Sequence, residues 1–312
     1  MPCIPIFKPR LLSPAKKEKK ELPSLPWTIL RIIRWTEERF KKEGIPCARL
    51  EAEVLLAENL GMNRVGLYIN YDQPLTSTEL NSFKEMVRRR LKREPLAYII
   101  GKKEFWSMSF KVTPDVFIPR PETEILVEEA LKIATRSREN DHPLKILDIG
   151  TGSGAIVIAL AKELPTAYLE ATEISAKALK IARENAVVHG VADRIGFKQA
   201  DLFPALGRLY DLIVANPPYI PRGYITSLPP EVRHFEPPLA WDGGEDGLDF
   251  FRRILPQVGR FLRPQGWFLT EIGAGQEEEI KKIAAQMVDL CPGTFVRDLA
   301  GINRVFKVRK VG

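Results

Sequence analysis

The sequence predicts an α/β fold: a doubly wound, Rossmann-like sheet of seven mostly parallel strands that ends in an antiparallel hairpin, preceded by a small helical domain. Three observations carry this. From Leu144 onward, short apolar runs alternate with stretches of helical period. The first run, Lys145-Ile146-Leu147-Asp148-Ile149, leads directly into a glycine loop, Gly150-Thr151-Gly152-Ser153-Gly154. The last two runs are joined only by a short link through Gly301, too short for a crossover helix, so they must pair antiparallel.

The elements follow in order. Residues 1–24 are rich in Pro and Lys without apolar periodicity, and read as a basic disordered extension. Residues 25–97 read as a helical domain. Trp27, Leu30, Ile32, Ile33 and Phe40 form one stripe, and Ala52, Leu55, Leu56 and Leu60 form a second that Gly61 stops. Thr76-Ser77-Thr78-Glu79 is an N-cap signature ahead of Leu80, Phe83, Met86, Val87 and Leu91. Within 98–118, Tyr98-Ile99-Ile100, Glu104-Phe105-Trp106 and Phe110-Lys111-Val112 are β-like pieces, expected to form a hairpin linker. The remaining domain spans 119–312. Ile118-Pro119-Arg120-Pro121-Glu122-Thr123-Glu124 opens a helix to about residue 135, with prolines outside or at its start. Strands are expected over 144–149, 167–172, 195–199, 210–215, 266–272, 294–298 and 303–309. Helices are expected near 154–164, 175–189, 247–262 and 275–290.

Composition excludes several classes. No apolar run approaches bilayer length, and Met1-Pro2-Cys3-Ile4-Pro5 lacks the basic-then-apolar layout of a secretory signal, so a cytoplasmic protein with no membrane partner is expected. Cys3, Cys47 and Cys291 are far apart, and so are His142, His189 and His234. A disulfide framework, a metal site and His-pair catalysis are not expected, and Cys47 and Cys291 are expected as small buried or half-buried side chains. The net charge of +7 is concentrated in Lys8, Arg10, Lys16, Lys17, Lys19 and Lys20 and in Arg88-Arg89-Arg90-Leu91-Lys92-Arg93. Such runs are more often a solvated helix face or a tail than a surface for a polyanion such as RNA or a ribosome-associated factor.

Chemistry is densest at Asn216-Pro217-Pro218-Tyr219, which follows the apolar strand Tyr210-Asp211-Leu212-Ile213-Val214-Ala215. Open α/β sheets bind ligands beyond such carboxyl ends. The prolines have no N–H, so the corner shows carbonyl oxygens without competing donors. A side-chain carbonyl, a backbone carbonyl and an aromatic ring suit a planar group bearing an NH2. The plainer reading is a Pro-rich turn after a strand. In the glycine loop, the Gly-x-Gly-x-Gly spacing with Asp148 just ahead of it differs from a pyrophosphate-binding fingerprint. An acid there suits the ammonium of an amino-acid moiety, which favours S-adenosylmethionine over a dinucleotide. Glu173, ending the next strand, can accept from both ribose hydroxyls, the plainer role being to favour the following helix N-terminus. Asp201 and Leu202, ending the third strand, can meet an adenine by its amino group and its face.

Together these pieces resemble the HemK/PrmC family, the glutamine methyltransferases of peptide chain release factors. The matching segments are Arg93-Glu94-Pro95-Leu96-Ala97-Tyr98-Ile99-Ile100-Gly101, Glu104-Phe105-Trp106, Ile118 to Glu124, Asp148 to Gly154, Asn216 to Tyr219, and Val232-Arg233-His234-Phe235-Glu236-Pro237. The resemblance runs from about residue 26 to the end. It implies a class I methyltransferase domain behind a helical substrate-recognition domain, S-adenosyl-L-methionine as donor, and the glutamine of a Gly-Gly-Gln motif as acceptor. Members often carry Asp where this chain has Glu173, whose longer side chain still reaches a ribose. Cofactor contacts are expected from Asp148, Gly150, Thr151, Gly152, Ser153, Gly154, Glu173, Asp201, Leu202 and Asn216.

The expected acceptor site is Asn216, Pro217, Pro218 and Tyr219, with Arg120 and Glu122 lining or covering it or else serving only to open a helix. Asn216 Oδ1 and the Pro217 carbonyl each take one N–H of the glutamine amide, and Tyr219 packs on its flat face. Glu271 faces the same crevice by topology, and Arg304 anchors the final hairpin. The expected partner is a release factor met by a monomer, with no direct binding of nucleic acid. Two alternatives stay open: a glutamine methyltransferase of a ribosomal protein, and a nucleic-acid amino-methyltransferase, which would have to flip its base.

Overall fold

The computed structural model describes residues 26–136 and 142–312, and its contacts divide the chain into two units, 1–84 and 85–312. The basic extension expected over 1–24 lies outside the described residues, as does Cys3.

The first unit holds α1 (Ile29–Lys42), α2 (Ala48–Leu60), α3 (Arg64–Ile69) and the start of α4 (Ser77–Leu91). Each has a local cause. Thr28 caps α1 by accepting from the Arg31 amide at 3.4 Å. Gly61, at φ +64°, ends α2 in the left-handed conformation that glycine adopts most readily. A capping box opens α4: the Thr76 amide donates to Glu79 Oε2 at 2.7 Å, and the Glu79 amide donates to Thr76 Oγ1 at 3.3 Å. Ile29, Ile32, Ile33 and Phe40 of α1 are fully buried, as are Ala52, Leu55 and Leu56 of α2. Among them lies Glu53, which accepts from Arg49 at 2.9 Å, Arg64 at 2.7 Å and Tyr68 at 2.9 Å. Burial pushes its pKa up, but Arg64, Tyr68 and Arg49 together hold it below the usual carboxylate range. Cys47 departs from expectation. It is exposed, at φ +52° just ahead of α2, because the chain turns there before the buried stripe begins.

The second unit begins within α4. Three of the cations in 88–93 are paired locally: Arg89 donates to Glu94 at 2.8 Å, and Arg90 and Arg93 each lie 2.9 Å from a Glu231 oxygen. The next segment, α5 (Leu96–Ile100), is helical where a β-piece was expected. Pro95 presets the backbone at φ −55°, the Tyr98 and Ile99 amides both donate to its carbonyl, and Gly101 at φ +75° ends the turn. Three β-favouring side chains do not outweigh those two local devices. The hairpin follows as β1 (Lys102–Phe105) and β2 (Met108–Lys111), with Trp106 and Ser107 in its left-handed turn.

After α6 (Glu124–Arg136) the chain alternates: β3 (Lys145–Ile149), α7 (Ala155–Glu163), β4 (Tyr168–Glu173), α8 (Ala176–Val188), β5 (Ile195–Gln199) and β6 (Tyr210–Ala215). A segment of short 3₁₀ turns follows, containing α9 (Pro230–Phe235). Then come α10 (Asp249–Val258), β7 (Leu262–Glu271), α11 (Glu277–Ala284), β8 (Thr294–Arg297) and β9 (Asn303–Arg309). The sheet order is β5-β4-β3-β6-β7-β9-β8, parallel from β5 to β7 and antiparallel at β7–β9 and β9–β8. The seven mostly parallel strands and the antiparallel end are those expected. Differences lie at element ends: β7 starts four residues earlier than the expected 266, and α11 stops at Ala284 rather than near 290.

Strands after β3 first add on its β4 side, and β6 then adds on the other. The order therefore reverses at β3, and the carboxyl ends of β3, β4 and β6 flank the crevice this creates. Helices cover both faces. Val157, Ile158 and Leu160 of α7 are buried in one core with Ile146 and Val214, and Phe251, Ile254 and Leu255 of α10 are buried in the other with Ile213 and Phe268.

Gly154 joins the loop to this packing. At φ +84°, a Cβ there would stand 3.0 Å from Ile158 Cδ1 and 3.2 Å from Ala182 Cβ. Gly154→Ala is expected to destabilise the fold by about 1–3 kcal/mol, from strained backbone and overpacking. A urea midpoint unchanged from the parent would contradict the close approach of α7 and α8.

Candidate active site

Beyond the carboxyl ends of β3, β4 and β6 lies a cavity of about 230 Å³. Its wall includes Gly150, Thr151, Gly152 and Ser153 of the glycine loop, Glu173, Asp201 and Leu202, and Asn216, Pro217 and Pro218. Ten of the residues picked out from sequence are thereby brought together. Four others are not on that wall: Asp148, Gly154, Tyr219 and Arg120, the last expected to line or cover it.

The loop turns sharply because Gly150, Gly152 and Gly154 are all left-handed, at φ +70°, +55° and +84°. Two carboxylates hold it. Glu173, largely buried, accepts from the Gly152 amide at 3.0 Å and from the Ser175 amide at 2.9 Å, tying the loop to the start of α8. Each oxygen keeps a second lone pair, so both the helix-end role and ligand contact are available to it.

Asp148 is fully buried, with Oδ2 accepting from Thr151 Oγ1 at 2.6 Å and Oδ1 without a hydrogen-bond partner. Burial pushes its carboxyl up to about 7; the Glu173 charge adds to the rise and the Thr151 hydroxyl opposes it.

At the next strand end Leu202 adopts φ +68°, and its carbonyl accepts from Thr172 Oγ1 at 2.6 Å. Asp201 is half-exposed and pairs with Arg253 at 2.6 Å, and both residues are on the cavity wall.

The Asn216 corner is fixed by a buried relay that the sequence reading left unassigned. Asn216 Nδ2 donates to Thr123 Oγ1 at 3.0 Å, and Thr123 Oγ1 donates to Glu271 Oε2 at 2.6 Å. Tyr219 Oη donates to the other oxygen, Glu271 Oε1, at 2.9 Å. Glu271 ends β7 and is buried. Its pKa is raised by that burial, while the two hydroxyls and the Arg304 charge hold it back and Glu122 adds to the rise. The Tyr219 hydroxyl is itself driven upward, by burial and by the Glu271 charge. Tyr219 therefore braces the corner from behind the cavity wall.

Gln276 holds the corner from the other end. Its Nε2 donates to the carbonyls of Tyr219 at 3.0 Å and Gly247 at 3.1 Å, while its Oε1 accepts from the Gly273 amide at 2.8 Å. The glycine at 247 makes this approach possible, since a Cβ there would lie 2.7 Å from Gln276 Nε2 and closer still to the Tyr219 carbonyl oxygen.

Arg120 faces the segment beyond the corner. It donates to buried Glu236 at 2.5 Å and stacks over Phe117 at 4.4 Å, tying the 118–124 segment to the turn after α9. Glu122 is exposed, and Arg304 donates to Asp298 at 2.8 Å beside the β8–β9 turn.

Residues 31–101 match the PrmC N-terminal domain, and residues 123–226 match the methyltransferase small domain. The release factor glutamine methyltransferase of Geobacter sulfurreducens is 45% identical over 92% of this chain and 97% of its own length. The chain belongs to the release factor glutamine methyltransferase family. Another member, from Bradyrhizobium diazoefficiens, is 41% identical over 88% of this chain and 92% of its own. Among solved structures, the hMettl16 catalytic domain in complex with the MAT2A 3'UTR hairpin 6 superposes with a TM-score of 0.51 at 18% identity, covering 74% of this chain and 81% of that one. That likeness is one of fold, and it agrees with the class I methyltransferase architecture seen here.

In this family member sequence reasoning missed Thr123, Gln276 and Glu236 as functional side chains, and placed Glu271 at the crevice without a role. The available signals were positional: Thr123 lies in the Pro-Arg-Pro-Glu-Thr-Glu run, and Glu271 ends a strand beside the switch point. Among the described residues no group of three or more His, Cys, Asp or Glu could hold a metal ion, and no helix is long and apolar enough to cross a membrane.

Asp148 yields a pH test. Its folded pKa of about 7 stands above the 3.8 of an unperturbed side chain, so its contribution to stability falls as pH rises from about 4 to about 7 and is level above that. Asp148→Asn keeps an acceptor for Thr151 and abolishes this dependence. The variant's unfolding free energy is expected to gain on the parent's by up to about 4 kcal/mol across that window. A constant difference in chemical denaturation from pH 4 to 7.5 would contradict the burial of Asp148.

Proposed function

We propose that this chain transfers a methyl group from S-adenosylmethionine to the side-chain amide nitrogen of the glutamine in the Gly-Gly-Gln motif of peptide chain release factors. The observation that carries the reading is the acceptor-only corner of Asn216 and Pro217 on the wall of the same cavity as the glycine loop. Family membership names the reaction, and the corner supplies a chemical reason for it.

The residues fit the donor. Glu173 offers free lone pairs to ribose hydroxyls, and the loop glycines leave room for close approach. Asp148, with one orphaned oxygen, lies behind the loop and favours a cationic ammonium on the other side. Asp201 and Leu202 lie where a base would sit, Asp201 already shared with Arg253. When bound, S-adenosylmethionine supplies an electrophilic methyl carried by a sulfonium.

The chain's own residues prepare the acceptor. An amide nitrogen is a poor nucleophile because its lone pair is delocalised into the carbonyl. Asn216 Oδ1 and the Pro217 carbonyl accept its two N–H bonds, which fixes the nitrogen and favours electron density on it. Pro217 and Pro218, lacking N–H groups, offer nothing that would draw in the amide oxygen instead. Positioning of this kind can lower a barrier by ~7–11 kcal/mol. The bound donor would supply the methyl carbon for the new N–C bond, and its sulfur would keep the electron pair of the broken C–S bond. The nitrogen's proton, made acidic by methylation, passes to water without a dedicated base.

The helical residues 25–97 are assigned to docking the release factor. The pairing of Arg89, Arg90 and Arg93 with Glu94 and Glu231 supports a structural role for the basic run rather than a nucleic-acid surface. A monomer that docks a transient substrate where translation runs, in the cytoplasm, completes the reading.

Labelled S-adenosylmethionine is expected to mark release factor and to leave its Gln-to-Ala variant blank. Label on that variant, or on DNA in place of release factor, would overturn the assignment. Asn216→Ala should lower kcat by about 10²–10³-fold or more, by analogy with the loss of one preorganised hydrogen-bonding group, with cofactor affinity changed less than about threefold. Glu173→Ala should raise the cofactor Kd by about tenfold or more. Unchanged binding by calorimetry would remove Glu173 from the cofactor site.

A further inference from the structure

We propose that Glu271, acting through the Thr123 hydroxyl, is the positioning residue that sets which way round the Asn216 amide stands, and so makes the acceptor site select a carboxamide over a carboxylate. The inference rests on the proposed function above and concerns how its site is specified.

The argument is one of hydrogen-bond direction. Both Glu271 oxygens stand as acceptors, as those of a carboxylate do. Glu271 receives Thr123 Oγ1 at 2.6 Å on one oxygen and Tyr219 Oη at 2.9 Å on the other, so both hydroxyl protons are committed to it. A threonine hydroxyl has a single proton. Having given it to Glu271, Thr123 can show Asn216 only lone pairs. Asn216 must then turn its NH2 toward Thr123, as seen at 3.0 Å. The same side chain lines the cavity, so the group left for the ligand is Oδ1.

Reversing any link reverses the outcome. If Thr123 lacked an acceptor for its proton, it would donate to Asn216 Oδ1 and present the NH2 to the cavity. A glutamine NH2 would then face a donor, while a glutamate carboxylate would gain one. In the parent, a glutamate would meet two acceptors, Asn216 Oδ1 and the Pro217 carbonyl, and no donor. Buried sites with unpaired polar groups discriminate strongly for this reason. The Tyr219 hydroxyl satisfies the second Glu271 oxygen, so Tyr219 contributes to the same polarity without lining the cavity.

The test measures binding by calorimetry in the presence of S-adenosylhomocysteine, using release factor and its Gln-to-Glu variant as ligands. The parent is expected to prefer the glutamine form by about tenfold or more. Thr123→Val, which keeps the shape and removes the hydroxyl, is expected to bring the two affinities within about threefold, and Thr123→Ser to restore the preference. Glu271→Met, which leaves Thr123 its proton to give to Asn216 Oδ1, is expected to move the preference further than Thr123→Val does, toward the glutamate form. Cofactor Kd should change less than about threefold in the threonine variants, which separates a turned amide from a collapsed site. A full preference retained in Thr123→Val, or no recovery in Thr123→Ser, overturns the proposal and leaves the function standing. A parent that neither binds nor methylates the glutamine form overturns the function itself, and this inference with it.

Discussion

A carboxylate buried at the end of a strand has little freedom: it must be given protons, and whatever gives them is fixed in turn. Glu271 occupies that position at the end of β7, with Thr123 and Tyr219 both donating to it. The three come from the helix-opening segment, the turn after β6 and the strand beside it, so one buried carboxyl group joins the pieces that form the acceptor corner. Gln276 closes the corner from the far side by binding the Tyr219 carbonyl. The prolines in between cannot add a donor. The result is a stretch of rigid backbone and one amide whose available atoms are all acceptors.

The donor side is built differently, from backbone rather than side chain. Three left-handed glycines turn the chain after β3, and the carboxylate of Glu173 grips the loop through its Gly152 amide. Gly154 couples that loop to the α7–α8 packing, since it lies where a side chain would strike both helices. Both halves depend on the reversal of strand order at β3, which opens a crevice where the ends of β3, β4 and β6 converge. Asp148, sealed beneath the loop with one oxygen unpaired, carries the desolvation cost of a buried carboxyl group.

Much of this was legible in the sequence, for local reasons. Glycine at alternate positions after an apolar strand, a link too short for a crossover at Gly301, and prolines flanking a strand-end Asn each have few structural solutions. The Thr76–Glu79 capping box is equally local. What sequence could not show was long-range. Asn216 and Thr123 are 93 residues apart, and Thr123 and Glu271 are 148 apart, so no spacing rule joins them. Tyr219 was expected on the cavity wall because aromatic rings suit flat ligands, yet its hydroxyl is claimed by Glu271. Tyr98 to Ile100 have strand-like side chains, and Pro95 with Gly101 made them a helical turn. The Pro-rich stretch around α9 has no apolar period, so its turns and the Arg120–Glu236 tie could not be anticipated.

The central claim is that the Asn216–Pro217 corner takes a carboxamide by its nitrogen. A crystal structure of this chain with S-adenosylhomocysteine and a release factor, or its Gly-Gly-Gln domain, would test it most directly. The glutamine nitrogen should then lie within hydrogen-bonding distance of both Asn216 Oδ1 and the Pro217 carbonyl, on the side facing the sulfur. A complex in which that nitrogen points elsewhere, or in which Tyr219 swings in to fill the corner, would contradict the account.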